Sequence, residues 1–426
     1  MVLIIADDLT GATDTGIQLQ KQGIPTTVLV GPPEKPLLYP GVEAALSINA
    51  SSRELGAEDA ARRTREVMRQ ISLRNEDTVF KKVDSLMRGN PAEELEAVLK
   101  VTGRRHALAA PSYPEMGRTV TDGVLHLPDG TEKDLLALFK SRCDNAVCHI
   151  PLARLRAEGM ALATSIDREK KALVWLFDAV TEEDLALVTQ IGQALEERPV
   201  YCGSAALAAA LPVSGQNAQV DKPPRAGSVL TVTGSRKRET ARQVQRLQEC
   251  CGLHTVLMDS GLLLQGDDAA EIPEAVQKLT GLLTQEHGAI LAFDSLFCSQ
   301  TGFEDDDVAA RQSGKRLARE LGEVLTRLDP ALYDGLILVG GDTSVEVCRS
   351  LHTTQIRLLE EVQSGTPAGL LADGPLRGMP VITKSGAFGD EDTLLRTWKY
   401  IRRENGSHCS GTFDCCDDIT GACGEG

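Results

Sequence analysis

The sequence predicts an α/β protein with two domains, each built from a largely parallel β-sheet covered by helices. Short apolar runs alternate with amphipathic helical patterns along nearly the whole chain, and this alternation is typical of parallel sheets. The chain has 426 residues, which is too long for one ordinary hydrophobic core. A stretch rich in Pro, Gly and Ser interrupts the alternation near the middle. These observations indicate two domains rather than one.

The first half of the chain contains six apolar runs with the length of buried strands. They are residues 2–6, 26–30, 44–48, 79–83, 106–110 and 172–177. Residues 57–72 and 91–100 lie between them and have the helical period with charged faces. The second helix begins with Asn90 as N-cap, Pro91 in the first turn and Glu93 three residues after the cap. We therefore expect Asn90 to cap this helix.

The second half repeats the alternation after a predicted linker at residues 212–228. Strands are predicted at residues 229–232, 289–293 and 335–339, and helices at residues 239–249, 314–328 and 344–350. The predicted domains are therefore residues 1–211 and 229–404. Residues 405–426 are small, polar and rich in cysteine, without an apolar period, so they are predicted to form a flexible tail. The four tail cysteines do not have zinc-ligand spacing: Cys409, Cys415, Cys416 and Cys423.

The charge of the chain limits its partners. The 45 basic and 61 acidic side chains give a net charge of −16, which disfavours nucleic acids and anionic membranes as partners. The first residues lack the basic region of a signal peptide, and no apolar run reaches the length of a membrane-spanning helix. We expect a cytoplasmic protein whose 11 cysteines are free thiols. We assign no metal-ligand residues.

Ionisable residues follow several predicted strands of the first domain. Asp7 and Asp8 end the first strand, and Lys82 and Asp84 end the fourth. Because ligands bind at the carboxyl ends of parallel strands, these groups indicate a pocket for an anion or a polyol. Arg53, which follows the third strand, could bind a carboxylate with both ends of its guanidinium. The plainer interpretations are helix caps and a surface ion pair. Arg118 is a further candidate.

Glycines follow three predicted strands of the second domain. They occur in Thr233-Gly234-Ser235, in 339–343 (VGGDT) and in 383–389 (TKSGAFG). Glycine between a strand and a helix lets backbone N–H groups approach phosphate oxygens. Each loop alone is weak evidence, since glycine is common there for steric reasons. Neither a Walker A sequence nor a G-x-G-x-x-G fingerprint is present, so P-loop and Rossmann dinucleotide sites are excluded.

Six segments together resemble the four-carbon acid sugar kinase family. They occur in the order of the family and span residues 6–389: ADDLTGATD (6–14), KVDSLMRGN (82–90), APSYPEMGR (110–118), TGSRKRET (233–240), GGDTS (340–344) and KSGAFG (384–389). The tail has no counterpart in this pattern. The resemblance implies an N-terminal sugar-acid-binding domain and a C-terminal nucleotide-binding domain with the active site in the cleft between them.

The resemblance also implies an activity. Members transfer a phosphoryl group from ATP, with Mg²⁺, to the terminal hydroxyl of acids such as threonate or erythronate. Residues 8–23 (DLTGATDTGIQLQKQG) favour D-threonate, which would give 4-phospho-D-threonate. The implied substrate contacts are Asp8, Arg53, Lys82, Val83, Asp84 and Ser85. The implied nucleotide contacts are Ser235, Gly340, Gly341, Asp342, Thr343 and Gly386. A homodimer is compatible with such a metabolic enzyme.

Phosphoryl transfer depends chiefly on positioning and charge neutralisation. Our hypothesis is that Asp8 or Asp84 accepts the hydroxyl proton while Lys82 steadies the transferred group. Asp342 is the alternative, as a ribokinase-like base or as the residue that orients Mg²⁺.

Two other classes of protein remain open at this point. A haloacid-dehalogenase-type phosphatase requires the motif Asp-x-Asp. In Asp8-Leu9-Thr10 the second aspartate is replaced by threonine, so the spacing argues against this class. A metabolite sensor without turnover is the non-enzymatic alternative, since a fold alone does not fix function.

Overall fold

The computed structural model describes residues 1–37, 44–213, 222–266, 270–297 and 308–403. The chain divides into two compact units. Unit 1 comprises Met1–Asp221 and Thr354–Glu360, and unit 2 comprises Lys222–Thr353 and Glu361–Gly426. The sequence had assigned the whole of residues 229–404 to one domain, so the return of Thr354–Glu360 to unit 1 is an unexpected feature. The tail with its four cysteines lies outside the described residues, as do residues 214–221 of the predicted linker.

The structure contains eighteen strands among the described residues. In chain order they are β1 Val2–Ala6, β2 Thr26–Leu29, β3 Ala45–Asn49, β4 Thr78–Lys82, β5 His106–Ala110, β6 Thr119–Thr121, β7 Val124–His126, β8 Glu132–Asp134, β9 Ala146–Ile150, β10 Leu173–Phe177, β11 Val200–Gly203, β12 Val229–Thr233, β13 Thr255–Met258, β14 Gly288–Phe293, β15 Gly335–Val339, β16 Gln355–Gln363, β17 Thr366–Leu371 and β18 Pro380–Lys384.

Fourteen α-helices accompany these strands in the described part of the chain. They are α1 Leu9–Lys21, α2 Ala57–Arg69, α3 Pro91–Thr102, α4 Leu135–Arg142, α5 Leu152–Glu158, α6 Ala161–Asp167, α7 Glu182–Ala194, α8 Ala205–Ala209, α9 Arg238–Cys251, α10 Ser260–Gln265, α11 Glu271–Gln285, α12 Val308–Arg327, α13 Gly341–Ser350 and α14 Thr393–Arg402. The predicted α/β class is confirmed.

The main sheet of unit 1 has the strand order β16-β2-β3-β1-β4-β11-β5-β10-β9. The strands from β2 to β9 in this order are parallel, and β16 pairs antiparallel with β2. Residues alternate between two hydrophobic clusters, so that Ile4 and Phe80 belong to one while Leu3 and Val79 belong to the other. Burial of both faces explains why the strands read as continuous apolar runs. A separate antiparallel sheet contains β6, β7 and β8.

The sheet of unit 2 has the strand order β13-β14-β12-β15-β18-β17. Its strands are parallel except for β17, which pairs antiparallel with β18. Helices pack against a core that includes Val229, Ile290, Ile337 and Ile382. Each of the predicted strands of this half is present, and the strand order places β12, β15 and β18 side by side.

Helix α3 begins where the sequence predicted, but its cap differs. Asn90 occupies the N-cap position and Pro91 the first turn, yet the Asn90 side chain makes no capping hydrogen bond. Its amide instead donates to the carbonyl oxygen of Leu55 at 2.8 Å. The predicted N-cap position is therefore confirmed, but the side chain uses its amide N–H group for Leu55 and does not accept a hydrogen bond from the helix backbone.

Two further expectations concern export and redox state. Among the described residues, no helix combines the length and the apolar content that crossing a bilayer requires. No disulfide joins the six cysteines in the described ranges: Cys143, Cys148, Cys202, Cys250, Cys251 and Cys348.

Candidate active site

The carboxyl ends of β3, β1 and β4 lie next to one another in unit 1. Ala6, at the end of β1, is in register with Asn49 of β3 and with Lys82 of β4. The segments that follow these strands therefore start at the same edge of the sheet, as the sequence analysis required. They bring together a group of ionised side chains, which we call the unit 1 cluster: Asp7, Asp8, Arg53, Lys82, Asp84 and Arg88.

Arg53 is the central cation of the unit 1 cluster. Its Nε donates to Asp7 Oδ2 at 2.7 Å, and its Nη2 donates to Asp7 Oδ1 at 2.9 Å. Its Nη1 donates to Asp8 Oδ2, and its Nη2 lies 3.5 Å from Asp84 Oδ1. From the sequence, this guanidinium was predicted to bind a ligand carboxylate. In the structure it binds Asp7 with the same geometry, and its contact with a ligand stays a prediction.

Asp8 has two roles that a single carboxylate can combine. Its Oδ1 accepts a hydrogen bond from Gly11 N at 2.7 Å and caps α1. Its side chain is 23% exposed, against 4% for Asp7 and 8% for Asp84, so it is the most accessible of the three. Burial raises the pKa of Asp8, and the negative charge of Asp7 adds to this effect although Arg53 opposes it. This carboxylate is suited to accept a proton.

Asp84 has the opposite character. Burial would raise its pKa, but the hydrogen bond from Arg88 and the charge of Arg53 hold the pKa of Asp84 far below its usual value. Arg88 Nε donates to Asp84 Oδ2 at 2.8 Å, and Arg88 Nη2 donates to Oδ1 at 2.9 Å. A carboxylate held so firmly in its ionised form is a poor base. The contacts of Asp84 therefore suit the fixing of two arginines better than the transfer of a proton.

The two lysines that end β4 point to different environments. Lys81 is fully buried and pairs with Glu94 Oε2 at 2.7 Å. Burial raises the pKa of Glu94, although Lys81 opposes this. Lys82 Nζ donates to the carbonyl oxygen of Val83 at 2.8 Å, and within the described residues it forms no ion pair. A Cβ added at Gly11 would lie 3.2 Å from Lys82 Nζ, so this charge faces the start of α1 beside Asp8.

Two of the remaining predicted residues differ in what they can offer a ligand. The side chain of Val83 is buried in the core, so it presents no polar side-chain group, and its contact with the substrate stays a prediction. Ser85 accepts a hydrogen bond from Arg118 Nη1. Arg118 Nε is buried without a hydrogen-bond partner, and burial lowers the pKa of Arg118. This guanidinium retains donors for an anion.

The carboxyl ends of β12, β15 and β18 meet in unit 2. Gly234 N donates to Thr343 Oγ1 at 3.1 Å, and Gly340 N donates to the carbonyl oxygen of Lys384 at 2.8 Å. Gly340 has a φ of 108°, a conformation that side chains of L-residues rarely adopt. The three loops predicted from their glycines are therefore joined by hydrogen bonds. We call them the unit 2 loops.

Ser235 and Gly386 lie against each other within the unit 2 loops. A Cβ added at Gly386 would lie 2.5 Å from Ser235 Oγ. Thr240 Oγ1 donates to the carbonyl oxygen of Gly386 at 2.7 Å and to Ser235 Oγ at 2.9 Å. Only glycine leaves room for this approach of two loops. The structure thus brings together the predicted residues Ser235, Gly340, Thr343 and Gly386.

Asp342 lies in the first turn of α13, after Gly340 and Gly341. Its side chain is exposed, and among the described residues it has no ion-pair or hydrogen-bond partner. Its position suits an interaction with an added cation or phosphate rather than a structural role.

Sequence reasoning missed two groups at these edges. Arg88 belongs to the motif at residues 82–90, but its pairing with Asp84 was not predicted. Between the two residues Met87 has a φ of 55°, a conformation that the sequence did not indicate. Lys384 was also in a quoted motif. Its burial and its contacts with Ser385 and Phe388 depend on how β18 packs, so no local signal marked it.

Comparison with known proteins finds a matching family for each half of the chain. The family described as a sugar-binding N-terminal domain matches residues 2–211, and the family described as a nucleotide-binding C-terminal domain matches residues 230–394. A D-threonate kinase from Salmonella typhimurium is 32% identical over 94% of this chain and 98% of its own length.

The chain belongs to the four-carbon acid sugar kinase family. The resemblance seen in six motifs is thereby confirmed. A D-threonate kinase from Bordetella bronchiseptica is also 32% identical, over 94% of this chain and 97% of that protein. A D-erythronate kinase from Heliobacterium modesticaldum is 26% identical, over 94% and 97%. These family members are kinases, which supports the predicted class of enzyme.

Solved structures show the same fold. A crystal structure from Salmonella typhimurium LT2 matches with a TM-score of 0.71 and 22% sequence identity, and the match covers 93% of this chain and 98% of that chain.

Proposed function

We propose that this four-carbon acid sugar kinase transfers the γ-phosphoryl group of ATP to the terminal hydroxyl of D-threonate, which gives 4-phospho-D-threonate and ADP. Residues 1–211 would bind the acid and residues 229–404 the nucleotide. The observation that carries the proposal is that Asp8, the most exposed carboxylate of the cluster, and Lys82, which forms no ion pair within the described residues, both lie at Gly11 at the start of α1.

Asp8 is the base in this proposal. It accepts the proton of the terminal hydroxyl while the hydroxyl oxygen forms a bond to the γ-phosphorus. The bond from the γ-phosphorus to the oxygen that bridges it to the β-phosphorus breaks, and that oxygen leaves with ADP. Lys82 would balance the negative charge of the transferred group. Asp84, whose pKa is lowered, holds Arg53 and Arg88 in place.

The carboxylate of the substrate needs a cation other than Arg53. Each nitrogen of the Arg53 guanidinium already contacts an aspartate. Arg118 has an unpartnered buried Nε and contacts Ser85 through Nη1. We therefore assign the carboxylate to Arg118 and Ser85, and we keep Arg53 as the residue that fixes Asp7 and Asp8.

The nucleotide would bind the unit 2 loops. Their glycines and the N-terminus of α13 suit phosphate oxygens, and Ser235, Thr343 and Gly386 would line the site. Within the described residues, no group of three or more His, Cys, Asp or Glu could hold a metal by itself. A kinase Mg²⁺ takes most of its ligands from phosphates and water, so the single exposed carboxylate of Asp342 fits that ion. When bound, Mg²⁺ neutralises phosphate charge.

The identity of the acid is supported by two D-threonate kinases at 32% identity, against 26% for the D-erythronate kinase. Erythronate or another aldonate is the alternative substrate. The interdomain cleft, the homodimer and the cytoplasmic location stay predictions from the sequence.

The test is ATP consumption, with Mg²⁺, against D- and L-threonate, D- and L-erythronate and longer aldonates. We expect the highest kcat/KM with D-threonate. Turnover of another acid would replace the substrate but keep the kinase. Tight binding of an acid without turnover would instead support the sensor, and absence of ATP binding would refute the proposal.

A further inference from the structure

Lys384, the last residue of β18, is a buried cation of unit 2 for which the proposed reaction has no role. Only 2% of the residue is exposed. Its Nζ donates to the carbonyl oxygen of Ser385 at 2.6 Å and to that of Phe388 at 2.8 Å. It forms no ion pair with any described residue. Burial of a cation that contacts only backbone carbonyls costs folding free energy. We therefore expect a function for the loop conformation that this cation holds.

The main chain of Lys384 holds a second loop. Its carbonyl oxygen accepts a hydrogen bond from Gly340 N at 2.8 Å, just before the first turn of α13. One residue therefore joins two of the unit 2 loops, one through the side chain and the other through the backbone. A change in the Lys384 side chain would leave the bond to Gly340 N in place.

The segment 385–389, which we call the Lys384 loop, is also held by α9. Thr240 Oγ1 donates to the carbonyl oxygen of Gly386 at 2.7 Å, and Gln243 Nε2 donates to that of Phe388 at 3.0 Å. These bonds and those from Lys384 occupy carbonyl oxygens of the loop. The N–H groups of Gly386 and Ala387 donate to no acceptor in the described residues. The carbonyl oxygens of Ser385, Gly386 and Phe388 are therefore tied to the protein, whereas the N–H groups of Gly386 and Ala387 are available to an anion.

We propose that Lys384 is a positioning residue for the nucleotide, whose ammonium group holds the Lys384 loop so that its free N–H groups bind phosphate oxygens of ATP. The inference rests on the proposed function of unit 2 as the nucleotide-binding half. Lys384 acts here through the loop and not by contact with the reacting atoms.

The charge of Lys384 is sensitive to pH. Burial lowers the pKa of Lys384 to about 8, and Glu239, in the first turn of α9, partly opposes this. Strands β15 and β17, on either side of β18, carry no charged side chain. The other charged side chains on the helices packed against β18 are Asp342, Glu346, Arg349, Arg396, Lys399 and Arg402.

Deprotonation of Lys384 should weaken the hydrogen bonds by which its side chain holds the Lys384 loop. Below about pH 8 the ammonium donates charge-assisted hydrogen bonds, and above it the neutral amine donates weaker ones. ATP affinity should therefore fall as the pH rises through about 8.

The experiment measures the Kd of ATP by calorimetry, with the full chain, excess Mg²⁺ and no acid substrate, from pH 7 to pH 9.5. For the unaltered protein we expect Kd to rise about fivefold across this range. For Lys384→Met we expect Kd to be about tenfold higher at pH 7 and to show no step near pH 8. Lys278→Met, which removes an exposed lysine of α11, is the matched control and should behave as the unaltered protein.

Several outcomes would overturn the inference. One is a Lys384→Met protein whose Kd of ATP and pH dependence equal those of the unaltered protein. Another is a Lys384→Met protein that differs from the unaltered one only in a lower melting temperature. If Lys384→Met does not fold, the pH series of the unaltered protein decides, and absence of a step refutes the proposal. No ATP binding by the unaltered protein at any pH would refute the proposed function as well, whereas binding without a step refutes this inference alone.

Discussion

The two units use the carboxyl ends of their strands in different ways. In unit 1 these ends carry ionised side chains, and Arg53 alone contacts three carboxylates. In unit 2 they carry glycines and hydroxyl groups, and the contacts between the loops are made largely through the backbone. Charged side chains can select a small acid by its shape and charge, whereas backbone N–H groups suit any phosphate. We therefore expect substitutions in unit 1 to act by changing charge, and substitutions in unit 2 to act by steric clashes between loops.

The largest expected effect is on turnover in Asp8→Asn. The asparagine oxygen can still accept the hydrogen bond from Gly11 N, so α1 keeps its cap, but the base is lost. We expect kcat for D-threonate to fall about 100- to 10,000-fold while the Kd of ATP is unchanged. Asp59→Asn, at an exposed site in α2, is the control. A normal kcat in Asp8→Asn together with a large loss in Asp342→Asn would move the base to unit 2.

Removal of Arg53 tests whether the unit 1 cluster depends on charge compensation. Arg53→Met leaves Asp7, Asp8 and Asp84 without their shared cation, and we expect the free energy of unfolding to fall by about 3–5 kcal/mol. Urea unfolding measures this. The control is Arg62→Met, which breaks only exposed pairs on α2 and should cost at most about 1 kcal/mol. Equal losses in the two variants would contradict the assigned role of Arg53.

A steric change in unit 2 should have a smaller effect, confined to the nucleotide. The Cβ of Gly386→Ala would meet Ser235 Oγ at 2.5 Å, so the two loops must separate. We expect the Kd of ATP to rise about tenfold, with KM for the acid unchanged. Gly281→Ala in α11, where a Cβ meets nothing within 4 Å, should bind ATP normally. An unaffected Kd in Gly386→Ala would remove this contact from the nucleotide site.

The smallest expected effect is a difference in pH between the loss of activity, which depends on Asp8, and the loss of the fold, to which Asp84 contributes. Asp8 has a raised pKa, so kcat/KM should rise with pH through a value above the ordinary 3.8 of an aspartate. Asp84 has a lowered pKa, so its contribution to stability is present above the pKa of the unfolded chain and is lost only as pH falls through the lower folded value. Activity should therefore be lost at a higher pH than the fold.

The measurement is kcat/KM beside circular dichroism from pH 3 to pH 8. The acid limb should fall about tenfold per pH unit below the pKa of Asp8. Coincident loss of activity and of secondary structure would contradict the assignment.

Much of the fold could be predicted because it depends on local pattern. The predicted strands near β1, β4 and β15 were found, since each is an apolar run long enough to be buried on both faces. The antiparallel strands β16 and β17 were not predicted. They are separated by a turn at Ser364-Gly365, where Gly365 has a φ of 70°. This Ser-Gly pair is the sequence signal from which the two strands could have been predicted. Nothing local indicated that Thr354–Glu360 belongs to unit 1.

The candidate site was predicted in part for the same reason. Strand ends and glycine loops identified which residues could meet, but the partner of each charge was not predictable. Arg53 was expected to bind a ligand carboxylate, and in the structure it binds Asp7. Asn90 occupies the predicted N-cap position, but its side chain donates to Leu55. In both cases the partner is distant in the chain, so the local sequence does not indicate it.

The sequence by itself determined the α/β class, the six motifs and the family, because these depend on residue order and on periodicity. The tertiary structure decided in which direction the pKa of each carboxylate is shifted, and the proposed role of Asp8 as the base rests on that difference. Asp8 and Asp84 are the same side chain chemically, and the pKa of one is raised while that of the other is lowered. Both are buried near Arg53, but Asp84 also accepts two hydrogen bonds from the side chain of Arg88, whereas Asp8 lies beside the negative charge of Asp7. Asp8, Arg53 and Asp84 come together only when the ends of β1, β3 and β4 are placed side by side.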